Sequence, residues 1–284
     1  MTTADLRAHD SPVPREAPGA SLRTVWWFMA LAFGLGWGVA VLMLVFSEPL
    51  EALFGPMSGT NPVFVLVVWS PAIAAIALVW RHEGRSGVGR FLRRLTLWRM
   101  PSAWWFFLLL GIPAVKYLGA AVNGAPGDFP FSPWYALLPA LAAALVIGPV
   151  EEIGWRGLAL PLLQRRFAPL SSSLILGAFW GLWHAPSFLM SGTPQSAWSF
   201  APFLIGVLSL SVIVTQLFNA AHGSILMAAL FHFQINGPAW PDAQPWENYL
   251  FALVAIAVVV LNRKAMLTRG MGATDVLLPA AKRA

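Results

Sequence analysis

Eight apolar runs, most of them about as long as a bilayer crossing, the seventh short and the fourth longer, leave this chain few ways to fold. They fall at about Val25–Phe46, Pro62–Trp80, Ala103–Val122, Trp134–Arg166, Ser172–Leu189, Ala201–Ala221, Gly223–Asn236 and Asn248–Leu261. A hydrocarbon core about 30 Å thick needs roughly 20 apolar residues to span it as a helix. Lipid offers no partner for backbone N–H and C=O groups, so each run must satisfy its own as a helix. Only 11% of the residues are charged and 58% are hydrophobic, with a mean hydropathy of +0.67, where a soluble domain carries about 25% charge. The reading is all-α: a polytopic membrane helical bundle of about eight transmembrane helices. The fourth run is too long for one straight crossing, and Gly148-Pro149 marks a break or kink within it.

The flanks divide the chain into three parts. Residues 1–22, polar and holding Pro12, Pro14 and Pro18, read as a disordered cytoplasmic tail. Residues 23–262 form the transmembrane helical domain, and 263–284 a polar cytoplasmic tail. No secretory signal precedes the first run, which is long enough to span and has no cleavage site after it. There is no cysteine, hence neither a disulfide framework nor a thiol nucleophile. Six arginines between Arg81 and Arg99 alternate with Phe91, Leu92, Leu95, Leu97 and Trp98. That mixture suits an interfacial helix on anionic headgroups better than an RNA-binding run, so the net charge of +6 implies no nucleic-acid partner.

Loop charges orient the bundle. The N-terminal tail, the even-numbered loops and the C-terminal tail hold the lysines and arginines. The odd-numbered loops hold none, and carry Glu48, Glu51, Asp128, Asp242 and Glu247. The positive-inside rule then places both termini in the cytoplasm of a multi-pass protein of a bacterial plasma membrane. Gly124 and Gln195 should lie outside and Gly89 inside.

Polar groups inside the spans are the candidate functional residues, since ionised groups at bilayer depth are costly and pair or line cavities. Glu151 and Glu152 follow Gly148-Pro149-Val150. Glu152 and Arg156 are i and i+4 and should pair on one helix face, with Glu151 about 100° further round. Along their helices Glu151, His184 and His232 lie roughly 22 Å from the cytoplasmic end near Arg166, 18 Å from Ser172 and 14 Å from Gly223. All three fall within the hydrocarbon core. His232 and Asn236 share a face. Lys116, alone in the third span, snorkels or faces the bundle; His222 reads as structural. Two acids, two histidines and an amide at one depth can activate water and stabilise an oxyanion, or ligate a metal. No HExxH and no GxSxG is present. A proton-coupled transporter using the same Glu/His cluster is the alternative in another class. Against it stand the lack of a visible repeat and the clustering of polar groups in the second half.

Glu151-Glu152-Ile153-Gly154-Trp155-Arg156-Gly157 resembles the EExxxR motif of the CPBP family, the CAAX proteases and bacteriocin-processing enzymes also called the Abi family. Trp180-Gly181-Leu182-Trp183-His184 resembles its FxxxH motif, with Trp180 where the family usually has Phe, expected to change packing alone. His232-Phe233-Gln234-Ile235-Asn236 matches HxxxN. The resemblance covers about residues 130–240. It implies an all-helical intramembrane endopeptidase of CAAX-protease type acting on a membrane-associated peptide or protein, or a non-catalytic bacteriocin-immunity protein. By motif, Glu151 is the general base, His184 positions its water, and His232 and Asn236 stabilise the oxyanion. Glu152 and Arg156 support the fourth helix. The family carries a metalloprotease label, for which His184, His232 and Glu151 are the candidate ligands of a divalent metal such as zinc; a metal-free, glutamate-based reading uses the same residues.

Overall fold

The computed structural model describes residues 21–124 and 131–279. The expected N-terminal tail, but for its last two residues, and the loop acid Asp128 lie outside them. The helices are α1 Leu22–Val45, α2 Ser47–Phe54, α3 Pro62–Leu92, α4 Ser102–Val122 with a π-helical turn at Phe107–Gly111, and α5 Leu137–Val146. They continue with α6 (residues 151–164), α7 Pro169–Trp183, α8 Phe200–Ala220, α9 Ile225–Ile235, α10 Trp246–Leu261 and α11 Arg263–Leu267. All eight expected runs are helical, and the protein is an all-α polytopic bundle. Among the described residues five helices are long and apolar enough to cross a membrane, and α9 and α10 are shorter apolar helices.

Local chemistry sets several of the boundaries. Asn61 accepts the Val63 N–H at 2.9 Å, with Pro62 in the first turn, and so starts α3. Ser224 accepts the Met227 N–H at 3.0 Å and starts α9. The fifth run ends earlier than its hydropathy suggests. Its α-helix stops at Trp183, His184 caps it, and Pro186 lies in the 3₁₀ turn Ala185–Leu189 that follows. The fourth run is broken as expected: Gly148 has φ +95°, and helix resumes only at Glu151.

α3 packs against α1 on one side and against the start of α6 on the other, and α8 packs against both α7 and α10. A Cβ on Gly154 would lie 2.5 Å from the carbonyl oxygen of Pro71. Only glycine therefore lets α6 touch the α3 backbone there.

The two ends of the bundle differ in chemistry. At one end Arg94 is fully buried. It donates from Nε to Gly223 O (2.9 Å) and from Nη1 to Gly157 O (2.6 Å) and Val276 O (3.2 Å), joining three segments and the C-terminal tail. Pro161 has no N–H to return to Gly157 O, which leaves that carbonyl open to the guanidinium. Arg94 thus departs from the headgroup role expected of its loop. The tail is held further by Gln164 Nε2 to Ala273 O (2.9 Å) and Arg165 Nε to Thr274 O (3.1 Å). At the other end Lys116 faces the bundle and pairs with Glu247 at 2.6 Å. Gln244 donates to Glu247 Oε1, and Asn123 donates to the Gln244 carbonyl.

Candidate active site

The break in the fourth run is what brings the motif residues together. Positive φ at Gly148 turns the chain so that α6 starts in the middle of the bundle, with Glu151 and Glu152 in its first turn. A Cβ at Gly148 would stand 2.6 Å from Asn236 Nδ2 and 3.1 Å from His232 Nε2. Glycine is needed here twice, for the backbone conformation and for the close approach of the loop to α9. It also shows that His232 Nε2 and the Asn236 amide point to the same place.

Burial of the acids is nearly complete: Glu151 is 3% exposed, Glu152 1% and Arg156 0%. Arg156 Nη1 donates to Glu152 Oε1 at 3.0 Å, the i,i+4 pair expected. His232 Nδ1–H donates to the same oxygen at 2.8 Å. Glu152 therefore does more than hold its own helix; it fixes the proton on His232 Nδ1 and orients the ring across two helices. With Nδ1 protonated, a second N–H at Nε2 exists only on the imidazolium, for which Glu152 supplies the counter-charge.

Glu151 has different partners. Its Oε2 accepts Nε1–H from Trp180 at 2.9 Å and from Trp155 at 3.3 Å. Trp180 was expected to alter packing only; it instead anchors the candidate base. Arg156 stacks over the Trp180 ring at 4.5 Å, and the rings of His232 and His184 meet it edge-on at 5.4 and 5.8 Å between centroids. One indole thus touches every charged or titratable motif residue except Glu152. Trp155 stands four residues after Glu151, so its contact had a signal in the spacing; the Trp180 contact with Glu151 spans 29 positions and had none. His184 Nδ1–H donates to Trp180 O at 2.8 Å, leaving Nε2 with a lone pair.

A cavity of about 690 Å³ meets these groups. Gly148, Glu151, His184, His232 and Asn236 line it, and Glu152 and Arg156 do not. The structure thus brings four of the expected site residues to one cavity and places the two supporting residues behind them. Glu151 stands there with both histidines, but it is Glu152 that accepts the hydrogen bond from His232.

Residues 133–237 match the family described as type II CAAX prenyl endopeptidase Rce1-like. That segment is similar to the CPBP family. A curated CAAX prenyl protease 2 of Methanococcus maripaludis is 29% identical to this chain over 180 residues, 58% of the chain. The match spans 64% of that relative's length.

Among the described residues no three His, Asp or Glu side chains are gathered so as to hold an ion. Each histidine commits Nδ1, to Glu152 and to a carbonyl, and keeps Nε2, while one Glu151 oxygen is held by two indoles. As arranged here, these side chains are not gathered into a three-ligand zinc site, and the chemistry below is derived from the side chains alone.

Proposed function

We propose that this protein is an intramembrane endopeptidase that hydrolyses a peptide bond of a membrane-associated peptide or protein. The observation that carries the reading is the division of the two acids. Glu151 presents a carboxylate to the cavity beside His184, His232 and Asn236, while Glu152 is committed behind it to Arg156 and His232. The family match and the CAAX prenyl protease relative support the reaction class.

The reaction follows from these positions. Water donates one hydrogen bond to Glu151 and one to the bare Nε2 of His184. Glu151 takes the first proton as the water oxygen bonds to the scissile carbonyl carbon. The carbonyl oxygen becomes an oxyanion, which accepts from Asn236 Nδ2 and from His232 when Nε2 is protonated. Glu151 then returns its proton to the amide nitrogen as the C–N bond breaks, leaving an amine and a carboxylic acid, which passes its remaining proton to the amine and becomes a carboxylate. Trp155 and Trp180 hold the carboxylate in the orientation this requires.

The test is direct. Detergent-solubilised protein is incubated with a library of lipidated and unlipidated peptides in ¹⁸O-water, and the products are weighed. The proposal expects one new amine and one new carboxylate carrying a single ¹⁸O. Intact peptides throughout, from protein that is folded by its melting curve, contradict it.

A further inference from the structure

The ends of the bundle and the lining of the cavity bear on where the substrate comes from. Outside the spans every described lysine and arginine lies at the end where Arg94 holds the C-terminal tail: Arg23, the run Arg81–Arg99, Arg165, Arg166, Arg263, Lys264 and Arg269. The opposite end carries Glu48, Glu51, Asp242 and Glu247 and, among the described residues outside the spans, no cation. The cavity runs from Glu151 toward this second end. Its wall continues through Thr60 after α2, Ala197 between α7 and α8, and Asp242 between α9 and α10. No residue of 81–100, 165–168 or 262–279 lines it.

We infer that the site is served from the extracytoplasmic face, so that its substrate is a translocated polypeptide, or the outer end of a membrane segment, and not a cytoplasmic C-terminus. The inference rests on the peptidase reading for the word substrate, and on two independent observations for the direction. The positive-inside rule puts the arginine-rich end in the cytoplasm. The cavity opens among the loops of the other end. The lining adds a chemical preference: Glu151, Asp242 and Glu247 stand against the single cation Lys116. A neutral or basic chain is favoured there over an acidic one.

The absence of cysteine makes the test clean, because each variant carries one thiol. Ala197→Cys and Asp242→Cys place it at the mouth, Ala144→Cys on the wall inside the span, and Ser86→Cys at the arginine-rich end; none is catalytic. A membrane-impermeant maleimide is applied to spheroplasts and to inverted vesicles of a bacterial host. The expected result is labelling of Ala197→Cys, Asp242→Cys and Ala144→Cys in spheroplasts and not in inverted vesicles, and the reverse for Ser86→Cys. The opposite pattern overturns the orientation. Ala197→Cys reacting from outside, with Ala144→Cys closed from outside in folded protein, overturns the opening. Labelling does not depend on turnover, so a protein without peptidase activity gives the same readout, and the two failures are told apart.

Discussion

The two halves of the fourth apolar run have opposite surroundings. Leu137–Val146 contains no buried residue. In 151–164 every residue but Ile153 is buried. Hydropathy would rank the first half as the better core helix. The outcome is reversed because lipid solvates Leu and Ala side chains as well as protein does, whereas Glu151, Glu152, Arg156 and Gln164 need partners. In a bilayer it is the polar half that must be enclosed. The apolar half is left at the edge, where Ala144 and Ile147 form part of the cavity wall.

Substitutions in the two halves should show this contrast. Glu152→Gln has the largest expected effect on stability. It removes the counter-charge of Arg156 and leaves His232 only a neutral amide oxygen as acceptor, and breaking a buried pair typically costs about 3–5 kcal/mol. Thermal unfolding in detergent should show it as a large fall in melting temperature or as lost expression. Leu160→Ala, at a fully buried position of α6, should cost about 2–5 kcal/mol through the cavity it leaves. Trp180→Phe keeps a ring and deletes one hydrogen bond to a carboxylate, worth about 1.5–3 kcal/mol. Part of that loss should appear in turnover, with kcat reduced and KM little changed. Leu145→Ala, in the outward-facing half, should stay within about 0.5 kcal/mol of the parent. If Leu145→Ala destabilises as much as Leu160→Ala, the comparison fails.

Much of the architecture was legible because its causes are local. The eight runs, the break at Gly148-Pro149 and the Glu152–Arg156 pair each follow from spacing or composition within one segment. The motif residues also converge as their depths suggested. What the sequence did not disclose were the contacts made between segments. Nothing in the residues around Arg94 says that it, alone of its loop's arginines, is buried, to meet Gly157, Gly223 and Val276. Glu152 could be assigned to Arg156 by spacing, but its second partner His232 is eighty positions away. Trp180 looked like a bulkier ring, because a ring N–H declares its role only once its acceptor is in place.

The metal question yields to a simple experiment. A reaction carried by Glu151 and the histidines alone should survive chelator in excess with its rate unchanged, and elemental analysis of the active protein should find no stoichiometric metal. Chelation that abolishes turnover, with zinc restoring it, would place an ion among these side chains.

The central claim is that Glu151 is the base and Glu152 its support, and the rate and melting temperature of purified Glu151→Gln test it most directly. Glu151 contacts two indoles and the cavity, so its neutral isostere should leave the fold intact and the melting temperature close to that of the parent. Losing the general base should lower the rate by about 10²–10⁴-fold. A Glu151→Gln protein that still turns over near the parental rate, beside a stable and inactive Glu152→Gln, would contradict the account and exchange the two roles.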